Sequence, residues 1–214
     1  MITAQIASIP SRVDGLEMAV SSLAGQVDLL FVALKNYEEA PPFLVNNRKI
    51  VYVLMDDSLG DAAKFYDVDQ RSGYVLICDD DLAYPQGYAR YMVNGIKEHG
   101  GIVSLSGRRY DEPFAPAHRG YDYKAHVNLN SPKEVHLGGT GCMAFHTDNF
   151  KISTDDFLND NMADLWVAKA AKEQGVRIMV LPHPDRYVVH FGYATMSMEV
   201  QDSYLSDVIN SFLK

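Results

Sequence analysis

Basic charge is what this sequence has little of. Its 214 residues include 19 Lys and Arg against 28 Asp and Glu, a formal net charge of −9. No stretch gathers Lys and Arg into a patch. A nucleic-acid backbone needs such a face, so no nucleic-acid partner is expected. Cysteine is scarce as well. Cys78 and Cys142 stand apart in apolar stretches without CxxC spacing, which fits reduced core thiols rather than a disulfide framework or a zinc site. No run approaches the ~20 apolar residues of a membrane span. The opening MITAQIASIPSR lacks the basic and apolar regions of a secretory leader, and the expectation is a soluble, cytoplasmic chain. A phosphate loop is missing too. Gly138-Gly139-Thr140-Gly141 is glycine-rich, but no Gly-Lys-Ser/Thr follows it.

What is present is a globular composition, 47% hydrophobic and 22% charged, enough to bury a sizeable core. ITAQIASI (2–9), VDLLFVAL (27–34), IVYVLM (50–55), GYVLICDDD (73–81) and IVSLSG (102–107) read as strands. Helical patterns alternate with them. Ser11–Leu23 repeats Val13, Leu16, Val20 and Leu23 at helical spacing, with Ser11 as its expected cap. A short helix is expected around Ala62–Tyr66, and a longer one from Pro85 to His99, closed by Gly100-Gly101. VHLGGTGCMAFH reads as a later strand, Asp160–Gln174 as a helix and VRIMVLPH as a last strand. Such alternation implies an α/β fold, a mostly parallel central sheet flanked by helices. Without repeats or a low-complexity linker, one domain over 1–214 is expected. It carries an insertion loop at 108–133, of the kind that binds ligands, and a helical tail from about Met196.

The chemistry concentrates at strand ends. Asp56-Asp57 and Asp79-Asp80-Asp81 each terminate an apolar run, where ligands of open parallel sheets bind. Adjacent carboxylates repel, so the cluster needs a cation to offset it. Side chains alternate along extended chain, which puts Asp79 and Asp81 on one side. Two carboxylates with water suit Mg²⁺ or Mn²⁺, bridging onward to a diphosphate. A solvated acidic turn is the competing reading. Arg12, after the first strand, is placed to reach a base or phosphate. Lys64 is placed to pair with a phosphate or with the aspartates. Gly139 and Thr140 are read as the wall under a sugar, since glycine in a strand marks close approach.

GYVLICDDDLAYPQGY resembles the DxD segment of GT-A fold glycosyltransferases, in particular the small bacterial family-2-like group. IASIPSRVDGLEMAVSSLAGQVD, DDSLGDAAKFY and HLGGTGCMAFHTDNF followed by DFLNDNMADLWVAKAAKEQGV are similar to further segments of that group. The resemblance runs from residue 2 to about 182. It implies a metal-dependent transfer of a sugar from a nucleotide-sugar donor, a UDP-sugar by expectation, to a hydroxyl of a glycan or other acceptor, with inversion. It also implies metal at Asp79 and Asp81, donor contacts at Asp56 and Asp80, and Asp164 as catalytic base. Family members often carry two adjacent acids there, whereas this chain reads Met162-Ala163-Asp164. A late histidine serves some GT-A enzymes as a metal ligand, and His190 is preferred here over His183. Arg108, Arg109 and His118 are candidates for an anionic acceptor or phosphate, and Tyr110, Tyr121 and Tyr123 for sugar faces.

Two alternatives remain. One is a sugar nucleotidyltransferase, a class that opens with a glycine-rich basic loop where this chain has IASIPSRVDG. The other is a non-catalytic nucleotide- or carbohydrate-binding protein on the same scaffold. A phosphatase with DxD on its first strand is disfavoured, because that strand ends here in IPSR. Oligomeric state is left open, a homo-oligomer being compatible with the sequence.

Overall fold

The computed structural model describes residues 1–110, 120–158 and 161–191, together with 208 and 211. The tail helix expected from Met196 and the candidate His118 lie outside these residues.

The chain starts with β1 (Ile2–Ser8), a 3-10 turn at Pro10–Arg12, and α1 (Val13–Leu23). Ser11 lies inside that turn rather than capping the helix. Next come β2 (Leu29–Lys35), the short α2 (Pro42–Val45), β3 (Ile50–Met55) and a 3-10 helix at Gly60–Phe65. The aspartate-tipped strand is β4 (Tyr74–Asp79), followed by the two-residue β5 (Leu82–Ala83) and α3 (Tyr88–His99). Gly100, at φ 69°, ends α3 in the left-handed region where glycine is favoured. The region after β6 (Ile102–Ser104) holds β7 (Gly107–Tyr110), β8 (Gly120–Tyr123) and β9 (Lys133–Val135), so the expected loop is in part a small sheet. The glycine-rich stretch interrupts its strand, leaving β10 (Leu137–Gly138) and β11 (Cys142–His146). Then follow α4 (Ala163–Glu173), β12 (Ile178–Val180) and β13 (Val189–His190). Among the described residues, no helix is long and apolar enough to cross a membrane.

Eight strands form the main sheet in the order β3-β2-β1-β4-β11-β6-β12-β9. β11 and β9 run antiparallel to their neighbours, and the other six share one direction. The apolar runs follow from burial on both faces. On β4, Leu76 and Cys78 turn to the side of α1 and α3, packing with Leu16, Leu23 and Met92. Val75 and Ile77 turn to the side of α4, packing with Phe145, Leu165 and Trp166. β3 is the exception. As an edge strand it leaves Val51, Tyr52 and Leu54 exposed.

Phe145 is buried and meets Phe150 edge-on at 5.1 Å. Phe145→Ala should lower stability by ~3–5 kcal/mol through the cavity it opens. Val51→Thr, on the exposed edge, should change it by less than ~0.5 kcal/mol. Chemical denaturation of both variants checks the contrast.

Candidate active site

β1 and β4 are neighbours in register, Ala7 beside Asp79. Both therefore end at the same level, and the turn after β1 lies against the aspartates that follow β4. Strand geometry stops at Asp79, and Asp80 and Asp81 form a turn. The alternation expected to carry through to Asp81 is thereby cut short. Asp80 and Asp81 are buried, and both reach Arg12, whose Nη1 lies 3.1 Å from Asp80 Oδ1 and 3.4 Å from Asp81 Oδ2. Asp79 has a different partner. Its Oδ1 is 2.7 Å from Lys64 Nζ, and its side chain is 38% exposed. The like charges are thus offset within the protein, each by a named cation.

Two further devices hold the cluster. The hydroxyl of Tyr84 accepts the Asp79 N–H and donates to the Gly141 carbonyl, both at 2.7 Å, tying β4 to the start of β11. A Cβ at Gly141 would stand 2.2 Å from Asp79 Oδ2, so any side chain there displaces that carboxylate. Gly139 is confined in the same way by Ser106, whose Oγ would lie 2.1 Å from an added Cβ. His190 arrives from the far end of the chain. β13 pairs antiparallel with β5, the Phe191 N–H donates to the Asp81 carbonyl, and His190 Nε2 comes within 3.3 Å of Asp81 Oδ2.

Opposite the aspartates stands the N-terminus of α4. Asp164 Oδ1 accepts the Thr140 N–H at 2.8 Å, and Asp61 Oδ2 accepts the Ala163 N–H at 3.1 Å. Asp61 and Lys64 share one 3-10 helix, so a single short element grips α4 and also supplies the cation between Asp79 and Asp164. Burial alone would lower the Lys64 pKa, but Asp79, Asp61 and Asp164 together outweigh it and raise the ammonium above its ordinary value. Burial pushes the Asp164 carboxyl up, with Lys64 and Thr140 partly opposing it. Asp80 and Asp81 are raised by burial too, against the pull of Arg12 on both.

These groups line a cavity of about 410 Å³. Of the expected site residues, Arg12, Lys64, Asp79, Asp80, Asp81, Gly139, Thr140 and Asp164 all line it. His190 touches Asp81 from the side. Asp56 is not brought in. It sits exposed at the end of the edge strand β3, bonded to Ser58 of its own turn, which lowers its pKa. His183 is buried elsewhere, its ring nitrogens against the carbonyls of Leu181 and Lys124. Sequence reasoning missed Tyr84, Asp61 and Lys35. The Tyr-Pro pair after the aspartates was the only visible hint of the first.

A second cavity, about 390 Å³, adjoins the first and shares Ser106, Gly139, Asn161, Met162 and Asp164 with it. Arg108, Tyr110, Asp122, Tyr123 and Lys124 form its other side. Tyr121 stands exposed outside it.

The charge of the first cavity bears on whether it can hold a divalent cation. Five carboxylates, of Asp61, Asp79, Asp80, Asp81 and Asp164, face three cations, of Arg12, Lys35 and Lys64. An anionic ligand would meet net repulsion, which a dication removes. Asp79 Oδ1 lies beside Lys64, and Asp81 Oδ2 lies beside Arg12 and His190. No group of three or more His, Cys, Asp or Glu side chains that could hold a metal ion occurs among the described residues. Mg²⁺ characteristically binds through one or two carboxylates, substrate phosphates and waters rather than an all-protein cage. The residues fit a cation of that kind.

Lys64→Met should cost about 2 kcal/mol, less than the ~3–5 of a fully buried pair because water screens part of Asp79. The raised pKa gives the sign of the pH effect. The stabilisation is complete at neutral pH and is lost only as pH climbs through the raised value in strong alkali. Tyr84→Phe should cost ~1–3 kcal/mol by leaving buried partners unsatisfied. Thermal unfolding across pH measures both.

No protein-family model and no curated protein matches this sequence. Among solved structures the chain is similar to the 4-diphosphocytidyl-2C-methyl-D-erythritol synthase from Anaerococcus prevotii. The TM-score is 0.51 at 12% sequence identity, over 100% of this chain and 96% of that one. The likeness is one of fold, and both chains share a mixed α/β architecture across nearly their whole length.

Proposed function

We propose that this protein is a transferase acting on a nucleotide-linked sugar, and that its reaction is glycosyl transfer on a GT-A-type scaffold. The observation that carries the reading is one cavity in which Asp79 and Asp81, at the carboxyl end of a parallel sheet, face Asp164 across a glycine-rich wall. The donor's diphosphate enters beside Arg12 and Lys64. Asp79 and Asp81 would hold Mg²⁺ or Mn²⁺, with His190 beside Asp81. Such a cation neutralises the charge that grows on a departing diphosphate.

Asp164 acts from the opposite wall. Its Oδ1 accepts the Thr140 N–H, and in this reading the carboxylate accepts the proton of an acceptor hydroxyl. The second cavity opens on the same carboxylate and is the natural seat of the acceptor, with the Tyr123 ring available to a sugar face. Attack by that hydroxyl as the diphosphate leaves inverts the sugar carbon.

A second reading, nucleotidyl transfer, is favoured by the fold likeness to a synthase whose named product carries a diphosphocytidyl group. The turn after β1 speaks against it. Pro10–Arg12 is a 3-10 turn with one arginine and no glycine, whereas a triphosphate calls for a loop of backbone N–H groups and cations.

Thermal unfolding with UDP, GDP, CDP, dTDP and CTP, each with Mn²⁺ or EDTA, decides first. A ligand at ~100 times its dissociation constant stabilises by ~2.7 kcal/mol. A metal-dependent shift with one diphosphate, and release of that diphosphate from its nucleotide-sugar, supports glycosyl transfer. Pyrophosphate release from a triphosphate supports the second reading. Binding without turnover of either kind leaves a non-catalytic binder, and no shift at all removes the nucleotide site. Asp81→Asn should abolish the metal-dependent shift.

Asp164→Asn should keep the shift and lose transfer by ~10²–10⁴-fold. The carboxylate form of Asp164 is reached only as pH rises through its raised pKa. The acid limb of kcat/KM should therefore sit above the ~3.9 of a free aspartate. Retained transfer in Asp164→Asn, or a limb at the free value, would remove the base role.

A further inference from the structure

The two edges of the main sheet are not alike. β9 closes one edge with three residues, Lys133–Val135, two of them charged. A short charged edge is a standard guard against pairing with another strand. β3 closes the other edge with six, Ile50–Met55, reading IVYVLM. It carries no lysine, proline or glycine, and it pairs with β2 along its whole length without a bulge. Val51, Tyr52 and Leu54 are exposed on it, and Val45 of the adjoining α2 is exposed as well.

The ladder fixes which backbone groups of β3 remain open. Lys49 O accepts the Leu30 N–H, and Met55 O accepts the Asn36 N–H. Odd-numbered residues therefore face β2. Tyr52 and Leu54, between them, turn N–H and C=O outward, away from the sheet. The flanks have opposite charge, with Arg48 and Lys49 before the strand and Asp56 and Asp57 after it, all exposed. An edge that is basic at one end and acidic at the other is complementary to itself when reversed.

We infer that β3 is the interface of a homodimer, in which two copies join their sheets edge to edge, antiparallel, about a twofold axis at Tyr52. In this register Tyr52 pairs with Tyr52 of the second copy and Ile50 with Leu54. Arg48, in the turn before the strand, and Asp56, just past its end, then come together at either end of the paired edges, with Ile50, Tyr52 and Leu54 on one face. The outward N–H and C=O of Tyr52 are satisfied in both copies and the Leu54 N–H meets the Ile50 C=O, while the Ile50 N–H already donates to the Asn47 carbonyl of its own turn. Because the paired strands run in opposite directions, the carboxyl ends of the two sheets point opposite ways, and both cavities stay open. The dimer gives Asp56 a role that the cavity does not, and it is independent of the transferase reading.

The test is the mass of the full chain by light scattering, over a range of concentration. The chain should approach twice its 23.9 kDa as concentration rises. Arg48→Asp alone and Asp56→Arg alone should each be monomeric, because each places like charges opposite each other across the twofold. An equimolar mixture of the two variants should recover the dimer, since every cross-strand pair then has opposite sign. Tyr52→Pro should be monomeric too, as it deletes an outward N–H without touching the β2 ladder. Circular dichroism verifies that each variant is folded. A wild-type chain that stays monomeric at its highest soluble concentration overturns the inference. A dimer that survives both charge variants, or a mixture that fails to recover it, overturns it as well. Neither result bears on nucleotide binding, which the unfolding experiment measures separately.

Discussion

The buried ammonium of Lys64 is the interaction on which the site depends. It lies within the field of Asp79, Asp61 and Asp164, three carboxylates drawn from three elements. Without a cation at this point the end of β4 and the start of α4 would repel across the cavity. The 3-10 helix at 60–65 buries Phe65 in the core shared with α4. It also places one charge and one acceptor at the site. Lys64 turns to Asp79, and Asp61, three residues earlier, holds the first N–H of α4.

The two cations of the aspartate cluster have different consequences. Arg12 bonds both Asp80 and Asp81, which are buried, so it belongs to the frame. Lys64 bonds Asp79, whose side chain is more than a third exposed, so that carboxylate can change partners when a ligand arrives. The glycines complete the arrangement from the opposite strand. At Gly141 a side chain would occupy the space of Asp79 itself, which makes the absence of Cβ part of the electrostatics.

How much of this was legible in the sequence follows from what each signal measures. Apolar runs report burial, so the doubly covered strands and the helices between them could be read closely. Helix starts were read less well. Ser11 looks like a cap and lies inside a 3-10 turn instead. The strand through the glycine-rich stretch reads as continuous because its flanks are apolar, yet it breaks where Gly139–Gly141 must leave room for Ser106 and Asp79. The candidate site was legible where charges ended a buried strand. It was misleading at Asp56, because β3 also ends in aspartates. Composition does not tell an edge strand from a central one, and only the strand order separates them. Tyr84 and Asp61 act through single hydrogen bonds to backbone across 57 and 102 residues, and no local pattern encodes such a pairing.

The span of these bonds also sets an order of assembly. Lys64 and Asp79 are 15 residues apart, and closing so short a loop is entropically cheap. Arg12 and Asp80 are separated by 68, and the Asp61 carboxylate waits for a residue 102 positions further on. His190, beyond them all, reaches Asp81 only through β13. A chain leaving the ribosome can therefore pair Asp79 early, while Asp81 and the α4 wall stay unfinished until nearly all of the described sequence has emerged. A chain arrested before α4 would lack the second wall of the cavity.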